Sequence, residues 1–265
     1  MGSATTHALT AVRGSLGALG RGDLRVAEGL LAASRVLSTS APLRSALIDP
    51  EADITAKGAL VKQVFGSSLP APAVTLLQEA AAQRWSNDHD FVHGVEEIGV
   101  RVAATAAGAA DVDGQLLSFA RTVASEAELE LALGSKLSPT EAKTTVVDRL
   151  LGATDTADPA TVAIVRHLVQ NPRGRRIGAM LREAAAVVAD QRGFQLATVT
   201  TAVPLSAAQR GRLEKSLNAA SGRTVKLDTT VDPAVIGGVR VQLGDDVIDG
   251  SLLHRLENLK QRLAG

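Results

Sequence analysis

The sequence predicts a mainly α-helical protein: two tandem helical bundles related by an internal repeat, then a small α+β domain of order β-α-β-β-α. Three observations predict it. From residue 24 to 190 apolar side chains recur at helical spacing. The stretch Leu30 to Gly66 returns 86 positions later, as Leu116 to Gly152, with 11 of 37 positions identical. After Gly193 β-branched residues take over and the period shortens to two. The domains expected are 1–110 (first bundle), 111–192 (second, repeat-related bundle) and 193–265 (C-terminal α+β).

In the helical part, Val26, Leu30, Ala33 and Leu37 fall on one face. Leu60, Val61, Val64 and Phe65 form a second stripe, and Val92, Val95 and Val102 a third. Ser-Pro, Asp-Pro and Pro-Ala-Pro steps lie between these stretches, where helices stop or start. The repeat pairs Leu30-Leu31 and Arg35 with Leu116-Leu117 and Arg121. It also pairs Leu47 with Leu133, Lys57 with Lys143, Val61 with Val147 and Gly66 with Gly152. One residue further out of step, Pro72-Ala73 answers Pro159-Ala160. In the tail, Phe194 to Leu205 reads as a strand, Ser206 as the cap of a helix carrying Leu213 and Leu217, and 223–231 and 239–243 as two more strands. A closing amphipathic helix carries Leu252, Leu256, Leu259 and Leu263.

Composition narrows the function. Lys plus Arg (28) equal Asp plus Glu (28), without the basic surplus of a free-standing nucleic-acid binder. Four Phe, one Trp and no Tyr leave little for base stacking. With no cysteine there are no disulfides, thiolate nucleophiles or cysteine-built zinc sites. The first residues lack a basic segment leading into a long apolar run, and no stretch of about 18 apolar residues exists. Membrane association is therefore expected to come through a partner.

Each chemical motif has a plainer explanation. His89 and His93 stand four apart beside Asp88 and Asp90, but the HExxH pattern and a third ligand are missing, so a solvated helix start is expected. Arg173, Arg175 and Arg176 crowd a turn after Pro172; they fit pairing with carboxylates in the bundle or on a partner better than phosphate binding. Gly237-Gly238 precedes a strand rather than a helix N-terminus, which suits a bulge or close backbone approach better than a phosphate loop. No GxSxG is present, and the carboxylates read as scattered, with no pair isolated in apolar sequence. No catalytic residue, cofactor or metal site is expected.

The segment Val231-Asp232-Pro233-x2-Ile236-Gly237-Gly238-Val239-x-Val241-x-Leu243-Gly244-Asp245-x-Val247-Ile248-Asp249-Gly250-Ser251-x3-Arg255-Leu256 closely resembles the C-terminal signature of the delta (OSCP-type) subunits of rotary ATP synthases. Ala202-x-Pro204-Leu205-Ser206 matches the family's pattern upstream, and Asn171-x2-Gly174-Arg175 matches loosely. The good match covers 194–263; the helical part agrees mainly in pattern. Two departures stand out: the helical region is doubled, and the usual tyrosine-alanine-x-alanine-leucine start is missing. The doubling resembles the enlarged form of actinobacteria, here without a fused stalk helix.

The resemblance implies a non-catalytic stator subunit. Its helical part would grip the N-termini of the alpha subunits, and its C-terminal part the b-type stalk. No nucleic acid or small-molecule substrate is implied, and the location would be peripheral, on the cytoplasmic face of a bacterial cell membrane. Asp232, Pro233, Ile236, Gly237, Gly238, Gly244, Asp245, Asp249, Gly250, Ser251, Arg255 and Leu256 are its structural or partner-binding candidates. The leucine stripe of the closing helix suits packing within its own domain, leaving the edge with His254, Arg255, Lys260 and Arg262 to meet the stalk. The alternatives are a general helical-repeat adaptor and an enzyme or RNA binder using the arginine cluster.

Overall fold

A computed structural model describes residues 2–17, 20, 22–135, 137–152, 157–233, 235, 238–244 and 246–249. Residues 1–188 form one compact unit and 189–265 a second. The helices of the first are α1 (Ser3–Leu16), α2 (Leu24–Thr39), α3 (Ala41–Ile48), α4 (Ile54–Phe65), α5 (Ala71–Ala82), α6 (Asp88–Ala106), α7 (Val112–Ser125), α8 (Ala127–Gly134), α9 (Thr140–Gly152), α10 (Pro159–Gln170) and α11 (Ile177–Gln191), the last running into the second unit. Their starts follow local chemistry. Asp23, Asp53, Asn87 and Asp158 each accept a backbone N–H of the first turn of α2, α4, α6 and α10. Helix α1 is one more than the sequence predicts, because its threonines and alanines blur the apolar stripe of Ala8, Leu9, Val12 and Leu16.

The repeat is visible helix by helix. Adding 86 to the ends of α3, 41 and 48, gives 127 and 134, the ends of α8. Leu30 and Leu116, Leu47 and Leu133, Val61 and Val147 are buried in both copies, as are Lys57 and Lys143. Of the second expected stripe Val61 and Phe65 are buried, while Val64 stays 39% exposed. Matching helices make matching partnerships: α4 packs on α5 as α9 does on α10, and α1 on α5 as α6 does on α10.

The same spacing reveals a shared element. Helix α1 buries Thr5, Ala8, Leu9, Val12 and Leu16. Adding 86 gives Phe91, Gly94, Val95, Ile98 and Val102 of α6, all buried. Adding it again gives Ile177, Met180, Leu181, Ala184 and Val188 of α11, all buried. Helix α6 is thus the last helix of the first copy and the first helix of the second. This explains why it buries 13 of its 19 residues: two bundles pack on it. The copies share one compact unit, and α10 of the second packs on both α2 and α6 of the first.

The second unit contains β1 (Phe194–Thr201), α12 (Ala207–Ser221), β2 (Thr224–Val231), β3 (Val239–Leu243) and β4 (Asp246–Asp249). The sheet order is β2-β1-β3-β4. β1 and β2 are parallel, which requires the crossover that α12 supplies; β3 and β4 join antiparallel. Ser206 and Gln209 form a capping box at the start of α12. Ala197, Val199, Val225, Leu227 and Val241 pack with Leu217 of α12, and Leu213 packs against them.

Strand β4 adds a strand to the expected β-α-β-β-α order. Leu243 pairs with Asp246, so the connection is a two-residue hairpin loop, and Gly244 supplies the positive φ (62°) such a loop needs. The short run Asp246–Asp249 carries too little alternation to be read as a strand without that pairing. The closing helix expected at Leu252 to Leu263 lies outside the described residues.

Candidate functional site

The largest concentration of buried charge in the described residues lies where the copies of the repeat meet. Glu96, on α6, is 4% exposed. One carboxylate oxygen accepts from Arg173 Nη2 and Arg175 Nη2, each at 2.7 Å; the other lies 2.9 Å from His167 Nε2 of α10. On the far side of the ring, Arg35 Nη1 of α2 is 3.1 Å from His167 Nδ1. Ser38 of α2 donates to Asn171 Oδ1 at the end of α10, at 3.0 Å. Arg175 also reaches Glu183 of α11, and His93 of α6 lies 2.8 Å from the same carboxylate. The next residue of α6, Glu97, accepts from Arg13 of α1 and from Arg101 one turn further along α6.

The backbone is bent to build this joint. Arg173 has φ 48° and Gly174 φ 79°, and Arg175 N–H donates to Pro172 O at 2.8 Å. Two successive left-handed residues close the turn, and for arginine this conformation is uncommon. The turn brings two guanidiniums onto one carboxylate oxygen. Burial pushes the Glu96 carboxyl up, but the hydrogen bond from His167 and the charges of Arg173 and Arg175 outweigh it and hold the group at about 2. Burial pushes His167 down from its ordinary value, and Arg35 and Arg173 add to the effect against Glu96.

The sequence motifs resolve accordingly. Arg173 and Arg175 are engaged within the bundle, while Arg176 is exposed. The His93 side chain, 22% exposed, pairs with Glu183, whereas that of His89 is 87% exposed. The reading that no carboxylate pair stands in apolar sequence is corrected. Glu96-Glu97 sits between Val95 and Ile98, both residues are buried, and the spacing alone could have flagged them. The shift at Glu96 is downward because cations surround it.

The tail signature gathers largely at one end of the sheet. Asp232 N–H donates to Thr201 O at 2.8 Å, closing β2 onto β1, and Pro233 follows in a turn. Gly238 (φ 82°) leads into β3, whose pair with β4 farthest from the hairpin turn sets Arg240 opposite Asp249. Gly244 lies at the other end of β3. Ile236, Gly237, Asp245, Gly250, Ser251, Arg255 and Leu256 fall outside the described residues.

A duplicated helical scaffold, with its buried charges joining the two copies, followed in sequence by a small mixed-sheet domain, defines a helical-repeat protein. The profile of the ATP synthase delta (OSCP) subunit family matches residues 100–263, reaching past the tail signature into α6. A protein of Leifsonia xyli subsp. xyli named "ATP synthase subunit delta" is 50% identical over 267 residues, covering 100% of both chains. Proteins of the same name from Streptomyces avermitilis (39% identical; 91% of this chain, 89% of the other) and Streptomyces griseus subsp. griseus (36%; 100% of both) are also similar. The chain belongs to the ATP synthase delta (OSCP) subunit family, in the enlarged form of its actinobacterial relatives. A chain in the "Cryo-EM structure of Toxoplasma gondii mitochondrial ATP synthase hexamer, composite model" overlaps 63% of this chain and 97% of its own length, at 19% identity and a TM-score of 0.40, too loose a likeness to build on.

Proposed function

We propose that this chain is the delta subunit of an F-type proton-translocating ATP synthase, a non-catalytic stator that links the alpha subunits of the catalytic head to the b-type stalk. The observation that carries this reading is the 50% identity, over the whole of both chains, to a protein named ATP synthase subunit delta. Physically, a rotating shaft does work on a head only if the head is held still. Helical grooves and a compact tail suit holding through buried area, of about 800 Å² per partner for a lasting contact.

In this reading residues 1–110 and 111–192 hold the two copies of the head-facing bundle, with α6 shared between them, and 193–265 meets the stalk. The signature residues at the end of the sheet, Asp232, Pro233, Gly238 and Asp249 among them, shape the stalk-facing end. Among the described residues no helix is long and apolar enough to cross a membrane. The subunit then sits peripherally, on the cytoplasmic face, through its partners. Crosslinking of the purified, coupled synthase tests this. Links from the first 188 residues to alpha and from the tail to b support it; absence of the chain from that complex refutes it.

A further inference from the structure

We propose that His167 is an acid-sensitive latch between the two copies of the helical repeat, closed while its imidazole is neutral and released when the ring gains a second proton. The inference concerns the chain itself and does not depend on which partners it holds.

The geometry fixes the closed state. A guanidinium has N–H donors and no acceptor, so Arg35 Nη1 at 3.1 Å requires a lone pair on His167 Nδ1. The ring proton must then sit on Nε2, where it donates to Glu96 at 2.9 Å. One neutral ring thereby joins α2 and α6 of the first copy to α10 of the second. An imidazolium has no lone pair, so protonation removes the Arg35 contact and sets N–H against N–H.

Charge acts in the same direction. Facing His167 or one contact away are the cations Arg35 from α2 and Arg173 and Arg175 from the turn, against Glu96 from α6 and Glu183 from α11. Three cations and two carboxylates already crowd the ring, and a protonated His167 adds a fourth positive charge to them. Arg166, on the ring's own helix, is paired with Asp148, and Glu28 of α2 stands across the same cleft. On α6, Glu97 is taken by Arg13 and Arg101, and His93 by Glu183. That cleft, lined by Glu28, Arg35, Arg166 and His167 among others, brings solvent to a ring whose own exposure is 1%.

The sign follows from linkage. The closed-state value of His167 lies below 6.5, so the latch is at full strength above pH 6.5 and weakens as pH falls below it. Each unit of pH between the closed-state value and 6.5 raises the opening constant by up to about tenfold.

Hydrogen exchange of the full-length chain tests the latch at pH 7.5 and pH 5.5, corrected for intrinsic rates. Opening of α2 and α10 is expected to rise, by up to about tenfold, in the wild type and to stay flat in His167→Gln, whose amide can donate to Glu96 and accept from Arg35 without titrating. Unchanged protection in the wild type, or an equal rise in the variant, overturns the latch. Should the variant fail to fold, nitrogen-15 spectra of the wild-type histidines decide. A neutral ring protonated on Nε2 at pH 7.5 is expected; a charged ring or the other tautomer overturns the proposal.

Discussion

Replacing Glu96 with glutamine tests the joint in isolation from size and shape. The variant keeps the side-chain volume and one acceptor oxygen but leaves Arg173 and Arg175 without their shared carboxylate. The depression of Glu96 from 4.5 to about 2 corresponds to a few kcal/mol of preference for the ionised form in the folded chain. Breaking a buried pair by removing one partner typically costs about 3–5 kcal/mol. Arg173 and Arg175 keep some access to water, their side chains being 18% and 28% exposed, so the lower range of about 2–4 kcal/mol is expected at pH 7. Trp85, the only tryptophan in a chain without tyrosine, is buried in the same unit and reports its unfolding alone.

In a urea titration followed by Trp85 emission, the midpoint of Glu96→Gln is expected to fall by about 1–2 M. The pH dependence separates charge from packing. A folded value below the unfolded one gives stability that is present above 4.5 and lost as pH falls toward 2. The gap between wild type and variant should therefore narrow by about 1 kcal/mol between pH 5.5 and 3.5. A gap under about 0.5 kcal/mol at pH 7, or one that does not narrow in acid, would refute the ionic account of the joint.

Three further outcomes are expected. A Cβ on Gly94 would overlap the Trp85 ring, which is fixed by its Nε1–H bond to Ala80 O (2.8 Å) and its edge contact with Phe91; Gly94→Ala should cost about 1–3 kcal/mol and shift the emission maximum, and an unchanged midpoint would contradict the packing. Lys57 and Lys143 are buried in both copies, and among the described residues their side chains make no ion pair or hydrogen bond; Lys57→Met and Lys143→Met should each be neutral or stabilising by up to about 1 kcal/mol, and a loss of that size would mean an unseen partner. Glu130 accepts from Ile177 N–H (2.8 Å) and Gly178 N–H (3.2 Å) at the start of α11; Glu130→Ala should lower stability by about 1–2 kcal/mol, measured by thermal unfolding.

Much of the fold was legible in the sequence because its signals are local. The stripe Val26, Leu30, Ala33 and Leu37 is buried as spaced, and Ser206 caps α12 as expected. The identical positions of the repeat proved legible for a reason of packing: Leu30, Leu47, Val61 and their partners are the residues that the bundles enclose. What escaped was set by pairing and not by composition. Strand β4 exists because Val247 and Ile248 lie against Gln242 and Val241, not because of its own composition. The joint joins residues as far apart as Arg35 and His167, and no spacing rule connects them. The acidic pair at 96 and 97 was the available signal, since two carboxylates inside an apolar helix require cations from elsewhere.

The shared helix bears on how such a chain transmits force. Two bundles joined by a loop would move against each other, because contacts across such a boundary are usually modest and interdomain motion is the default. Here no linker exists between the copies: α6 closes one bundle and opens the next, and its 19 residues give about 28 Å of continuous helix. Arg13 of α1 grips Glu97 on one side of α6, and His93 of α6 grips Glu183 of α11 on another. The three repeat-related helices are thereby tied in series through their charges as well as through their apolar rows. Bending the pair of bundles requires breaking α6 or pulling α10 from α2. The first is resisted by the helix's own hydrogen bonds, so compliance concentrates at the second, where His167 sits. A duplication that shares a helix is a stiff one, and the ionic joint lies at the seam where α10 meets α2.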